Sequence, residues 1–209
     1  MHDARLLEVL ERSRSLGFLG PGSVAVHIDH GDGFVAGIEE VPERFLDLGS
    51  GGGVPGLVLA RRWRSSEAVL LDARERRCAF LRSAVQDLGV GDRVEVVWAR
   101  AEEAGRREGL RAAFDLVVAR GFGRPSVTAE CGSPFLRVGG ILVVSEPPRR
   151  HRTGASVEPR WVPAGLEHLG LRLGRSWGGQ YRYQALDQAE LCPSQYPRRP
   201  GIPAKRPLF

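Results

Sequence analysis

Residues Phe45 to Ala60 read FLDLGSGGGVPGLVLA: an apolar run, an acid, a ladder of glycines and a second apolar run. The first run is short and suits a buried strand, while the second continues as VPGLVLARRW with the character of a helix. A glycine-rich turn between strand and helix gathers free backbone N–H groups and the positive end of a helix dipole around whatever it holds. Such a loop binds a ligand rather than merely reversing the chain.

Downstream of this stretch the rhythm repeats. EAVLLDA reads as a second strand, ERRCAFLRSAVQDLG as a helix with Cys78, Leu81, Ala84, Val85 and Leu88 on one face, RVEVVWA as a third strand and FDLVVAR as a fourth. SVTAECGSPFLR reads as a helix closed by two glycines, and ILVVSE as a fifth strand. Strands that are apolar throughout and alternate with helices predict a parallel sheet covered on both faces. After PPRRHRTGAS the pattern changes: GLEHLG is a short helix, and LRLGRSW and QYRYQALDQ are strands joined too tightly to be parallel. The expected fold is therefore α/β and Rossmann-like, a mostly parallel seven-stranded sheet ending in an antiparallel hairpin. Upstream, residues 4–16 carry leucines at helical spacing until GFLGPG ends the helix, and residues 23–40 read as loop and short strand. The chain divides into a helical and loop extension (1–40), the ligand-binding domain (41–190) and a basic tail (191–209) whose five prolines argue against regular structure.

The 209 residues suffice for a core without disulfides, and three cysteines at wide spacing suit a reducing, cytoplasmic compartment. No window is apolar enough for a membrane span, and no leader is evident. The formal charge of +5 favours a polyanionic partner, but only Lys205 among the 30 basic residues is lysine, so placement says more than the total. Basic residues concentrate at Arg149, Arg150, His151 and Arg152, and in the tail YPRRPGIPAKRPLF, where Arg198, Arg199, Lys205 and Arg206 stand without an acid. A solvated loop and a frayed end are the simplest account of both, and nucleic-acid contact is the functional one.

Two patterns compete for the glycine ladder. Gly51-x-Gly53-x-x-Gly56 satisfies the dinucleotide pattern GxGxxG. Asp47-x-Gly49-x-Gly51-x-Gly53, an acid followed by alternating glycines, resembles motif I of class I S-adenosylmethionine (SAM) methyltransferases. The acid decides, because a carboxylate two residues before the first glycine repels a pyrophosphate and attracts the cationic aminoacyl end of SAM. The second strand ends at Asp72, placed to accept ribose hydroxyls of either cofactor. The third is followed by Ala101 and Glu102, where an adenine edge is read, with helix capping as the alternative role for the acid. The fourth ends at Arg120, at the carboxyl edge that lines the crevice of an open sheet.

The chemistry follows by elimination. Methylation of an exocyclic base amine relies on (N/D)PP(Y/F/W) after the fourth strand, where this chain has ARGF. Methylation of pyrimidine C5 needs a cysteine in the crevice, and Cys78, Cys131 and Cys192 all read as packing residues. Guanine N7 has an in-plane lone pair, so its methylation needs positioning and electrostatics rather than a general base. Arg120 is then the candidate catalytic residue, as a positioning group, and no metal is expected.

At this point the chain resembles the RsmG (GidB) family of 16S ribosomal RNA methyltransferases. DLGSGGGVPG, from Asp47 to Gly56, matches the family's D(V/L)G(S/T)GxGxPG, and LLDARERRCAFL matches LLD(S/A)xxKRxxFL with Arg76 for the lysine. Arg100 to Glu103 matches R(V/A)E(E/D), Ala119 to Phe122 matches (S/A)RA(F/V) with a glycine for the alanine, and Tyr196 to Leu208 matches YPR(R/K)xGxPxKxPL. The resemblance implies a class I methyltransferase fold and SAM-dependent methylation of N7 of one guanine in the decoding-region loop of 16S rRNA. It carries cofactor contacts onto Gly49, Val54, Ala101, Glu102 and Arg120, with Asp72 as ribose ligand beside Asp47, Gly51 and Gly53. It also makes the tail, with Arg198, Arg199, Lys205 and Arg206, an RNA-facing element of a monomer that works on 16S rRNA or the small ribosomal subunit. The chain departs from the family in two places. The WNxxxNLT-like and HxxDS segments before motif I are absent, and Ser145, Glu146, Pro147 and Pro148 replace the lysine and glycine after the fifth strand. A methyltransferase of another RNA position or of a small molecule, and a noncatalytic protein that binds SAM and RNA, are the alternatives.

Overall fold

A computed structural model describes residues 3–147 and 160–209. The basic cluster Arg149 to Arg152 lies outside the described residues.

The element that organises the molecule is the shortest stretch of the opening motif. Strand β1 (Arg44–Leu48) contributes Phe45, Leu46 and Leu48, each fully buried, with successive side chains on opposite faces of the sheet. Full burial of such side chains is worth about 1.5–3 kcal/mol each, which fixes β1 in the middle of the sheet. It pairs in parallel with β2 (Glu67–Asp72) and β4 (Phe114–Ala119), so Asp47 stands opposite Leu70 on one side and Val118 on the other. Beyond β2 lies β3 (Val94–Trp98), and beyond β4 lies β5 (Leu136–Glu146). The hairpin of β6 (Leu171–Trp177) and β7 (Arg182–Gln188) closes the other edge, with β7 antiparallel to both β5 and β6. The strand order β3-β2-β1-β4-β5-β7-β6 is the mostly parallel sheet with a terminal hairpin that the sequence predicts.

Helices cover both faces. On one, α1 (Ala4–Ser15), α2 (Val24–Asp32), α3 (Gly56–Arg62) and α4 (Glu75–Asp87) bury Leu6, Leu10, Ile28, Leu57 and Leu81 in one core. On the other, the short α5 (Ala101–Ala104), α6 (Pro125–Gly132) and α7 (Pro163–Glu167) pack with the tail over Leu46, Phe114, Phe135 and Leu186.

Three local expectations are corrected. Residues 23–40 form helix α2 and a 3-10 turn (Val35–Gly37) instead of loop and strand. The helix is capped by Ser23 Oγ, which accepts from Val26 N–H. Its glycines mark close approach rather than chain breaks: a Cβ at Gly31 would lie 3.0 Å from Val58, and one at Gly33 would overlap the Tyr183 ring. Strand β5 starts at Leu136, because α6 gives way early to a 3-10 turn (Ser133–Phe135) and the following GG lies inside the strand. The tail is not wholly irregular either: α8 (Ile202–Lys205) tolerates Pro203 in its first turn, where a backbone N–H has no helical partner to lose.

The tail is docked, not frayed. Tyr196 and Cys192 are buried, and the Arg111 guanidinium donates to the carbonyls of Cys192, Pro193 and Tyr196. Arg106 donates to the carbonyls of Ser194, Gln195 and Pro197.

Candidate cofactor and acceptor site

The glycine ladder folds back over the end of β2. The N–H groups of Gly49 and Ser50 both donate to the Leu71 carbonyl at 2.9 Å, and Gly51 N–H donates to Asp72 Oδ2 at 2.9 Å. Gly49, Gly51 and Gly53 have φ of +75°, +54° and +93°, a region that strains any side-chain-bearing residue. Helix α1 supports the loop from behind, since Ser13 Oγ–H donates to the Gly52 carbonyl and fills the space a Cβ at Gly52 would need. The amphipathic pattern of α1 gives no hint of this contact.

Both strand-end acids are buried and already engaged. Asp72 accepts from Gly51 N–H through Oδ2 and from Arg74 N–H through Oδ1, with Arg77 at 3.6 Å. A carboxylate has about four acceptor sites, so Asp72 retains capacity for ribose hydroxyls while its plane is fixed by the loop. Asp47 Oδ2 accepts from Gly56 N–H at 2.9 Å and thereby ties β1 to the start of α3. Asp47 Oδ1 is buried and finds no partner among the described residues. Burial pushes this carboxyl up to about 7, against the pull of the Gly56 N–H, the nearby Ser50 hydroxyl and the Arg120 charge. An orphaned acidic oxygen beside the ladder fits a cationic ligand group far better than a pyrophosphate.

Arg120 follows β4 and reaches sideways rather than outward. Its Nη1 lies 3.3 Å from His27 Nδ1, and His27 Nε2 lies 3.1 Å from the Gly20 carbonyl. A carbonyl only accepts, so His27 donates through Nε2 and accepts from Arg120 through Nδ1. Burial first, and then the Arg120 charge, lower His30, one turn along α2, to about 4 and keep it neutral. The His30 ring stacks on Tyr181 at 4.3 Å and 7°. A cavity of about 500 Å³ opens here, lined by His27, His30, Arg120, Phe122, Glu146 and Tyr181 among others. Sequence reading missed the two histidines and Tyr181, because they lie on a helix taken for a loop and on a hairpin turn far along the chain.

The remaining predicted residues separate. Val54 and Ala101 are buried next to the loop and at the start of α5. Burial would raise the Glu102 carboxyl, but the Gly201 N–H and Arg100 outweigh it and hold the group below the usual carboxylate range. The Glu102 carboxylate thus anchors the tail, and it is the backbone of Ala101 and Glu102 that is left for a ligand. Arg198, expected to face RNA, turns inward: it pairs with the fully buried Glu130 at 2.6 Å and donates to the Arg206 carbonyl. A buried carboxylate demands such a partner more strongly than a solvated phosphate does. Arg199, Lys205 and Arg206 are exposed. The thiols of Cys78, Cys131 and Cys192 are buried and pushed upward by burial, so none is an activated nucleophile.

A parallel sheet with this strand order and terminal hairpin, an acid-led glycine loop and a second strand-end carboxylate define a class I SAM-dependent methyltransferase. Solved structures agree at the level of fold. A SAM-dependent methyltransferase from Aquifex aeolicus superposes with a TM-score of 0.59 at 17% identity, covering 85% of this chain and 96% of that one. The mitomycin 7-O-methyltransferase MmcR gives 0.60 at 17% identity, covering 78% and 54%. The family model of rRNA small subunit methyltransferase G (GidB) matches residues 34–150, and the chain belongs to that family. Among its relatives, the ribosomal RNA small subunit methyltransferase G of Moorella thermoacetica is 37% identical over 178 residues, 81% of this chain and 72% of its own length. That of Symbiobacterium thermophilum is 34% identical over 185 residues, 83% and 73% of the respective chains.

Proposed function

We propose that this enzyme methylates N7 of a guanine in 16S rRNA, with SAM as donor. The observation that carries the reading is the adjacency of two compartments at the carboxyl edge of the sheet. The glycine loop with Asp47 and Asp72 forms one, and the cavity beyond Arg120 forms the other, on a chain of the rRNA methyltransferase G family. Bound SAM supplies a sulfonium methyl, which guanine N7 takes with its own lone pair while the C–S electrons remain on sulfur. Asp72 orients the ribose, the buried Asp47 carboxylate draws the cationic amino end toward the ladder, and Arg120, held by His27, sets the border between donor and acceptor. No proton has to leave N7 before attack, so the transfer calls for positioning and electrostatics rather than a general base.

The exposed basic residues of the tail, Arg199, Lys205 and Arg206, are the proposed phosphate contacts. The test is to map 7-methylguanine in 16S rRNA from cells with and without the gene, alongside methyl transfer from labelled SAM to small subunits of the deletion strain. Loss of one mark and its restoration in vitro is the expected result. Retention of every mark in the deletion strain would overturn the assignment.

A further inference from the structure

The cavity beside Arg120 contains a carboxylate that cofactor binding does not use. Glu146 is the last residue of β5, at a position where the chain departs from the family pattern, and its side chain is only 9% exposed. Trp161 Nε1–H donates to Oε1 at 2.9 Å and Arg160 Nε–H to Oε2 at 2.6 Å. With about four acceptor sites on an ionised carboxylate, about two stay open. Among the described residues lining the cavity, Glu146 is the one carboxylate. One wall holds Tyr181 stacked face to face on His30, and the outer face of such a ring is of the kind on which bases stack.

We infer that Glu146 selects guanine. The base enters the cavity against the His30–Tyr181 wall and presents its N1–H and exocyclic N2–H to the Glu146 carboxylate. Sheet order leaves room for the base: β5 lies two strands from β1, with β4 and Arg120 between, a span of roughly 10 Å at ordinary strand spacing. A purine held at β5 by N1–H and N2–H keeps the adjoining Hoogsteen edge, which bears N7, free to be turned toward the glycine loop on β1. Two consequences follow from the chemistry. Adenine presents an acceptor, N1, at the same edge and is repelled by the carboxylate. Methylation of N7 places positive charge on the purine, which makes N1–H a stronger donor, so the hydrogen bond to Glu146 strengthens as the reaction proceeds. The inference rests on the guanine-N7 reading of the function and adds the residue that reads the base.

The test uses the full chain saturated with S-adenosylhomocysteine and compares GMP, IMP and AMP as probes by saturation-transfer NMR titration. IMP lacks only the 2-amino group. Wild-type protein is expected to bind GMP about ten-fold more tightly than IMP, the cost of leaving one charged hydrogen bond unmade, and AMP more weakly still. Glu146→Gln keeps an oxygen for Trp161 N–H, and should bring GMP down to the level of IMP while leaving SAM affinity unchanged. Equal binding of GMP and IMP by the wild type, no binding of any of the three, or a guanine preference that survives Glu146→Gln overturns the inference. The wild-type comparison decides even if the variant does not fold. Methyl transfer to small subunits of the deletion strain, run in parallel, separates the two readings. Transfer without guanine-selective nucleotide binding removes Glu146 alone, whereas guanine-selective binding without transfer removes the rRNA assignment and leaves Glu146.

Discussion

Arg120 Nη1 and His27 Nδ1 lie 3.3 Å apart, joining the end of β4 to helix α2 across 93 positions of sequence. On the proposed site, the cofactor crevice is thereby completed from the N-terminal region, where the sequence carries no recognisable motif, and His27, acting through Arg120, is expected to be a positioning residue. Replacing it by alanine removes one hydrogen bond to a charged group, a loss of about 1.5–3 kcal/mol. Calorimetric SAM affinity should fall about ten-fold or more, and His27→Gln should recover part of it. Unchanged affinity in His27→Ala would show that Arg120 holds its place unaided.

Asp72 is expected to matter twice, once for the ribose and once for Gly51 N–H. Asp72→Ala should weaken SAM binding about 100-fold, on the order of 3 kcal/mol for two charge-assisted hydrogen bonds, with a well-folded far-UV spectrum. Wild-type affinity in this variant would contradict its assignment to the ribose.

Asp47 is expected to make cofactor binding proton-linked. Its carboxyl is raised to about 7 by burial, and a cation beside it favours the ionised form, so SAM binding expels a proton. Affinity should rise with pH through about 7 and level off above it. Calorimetry in two buffers of different ionisation enthalpy should show proton release near neutrality, and Asp47→Asn should abolish it. The same group makes the ligand-free fold less stable as pH rises. Between the unfolded value of 3.8 and about 7 the native state binds more protons than the unfolded state, so stability declines across that window. Urea unfolding of Asp47→Asn should lack the decline.

Arg198 is predicted to serve stability more than RNA binding. Its removal strands the Glu130 carboxylate, which is 0% exposed, and loss of one partner of a buried pair costs about 3–5 kcal/mol. Arg198→Ala should lower the urea midpoint strongly. Arg198→Ala combined with Glu130→Leu should recover most of the loss.

The exposed basic residues should behave in the opposite way. Replacing Arg199, Lys205 and Arg206 by alanine should leave the urea midpoint nearly unchanged and flatten the dependence of log affinity on log salt. Each phosphate that is no longer neutralised reduces that slope by about 0.7–0.9. An unaltered slope for binding to small subunits would remove these residues from the interface.

Sequence by itself determined whatever depends on local order along the chain. The strand, the acid and the glycines with positive φ must be contiguous to make the loop, so Asp47, Gly49, Gly51 and Gly53 were legible, as were the alternation that requires a parallel sheet and the hairpin that ends it. Tertiary structure decided what depends on pairings across the chain. Arg198 and Arg199 are adjacent and identical in type, yet the buried Glu130 draws one inward and leaves the other in solvent. Gly31 and Gly33, in a stretch that reads as loop and short strand, proved to be points where α2 and its C-cap meet Val58 and Tyr183, because a missing Cβ permits close packing as readily as it permits a turn. Folding gave His27 and Glu146 their partners, and burial shifted the titration of His30 and Asp47; burial is a property of neighbours that sequence order does not contain.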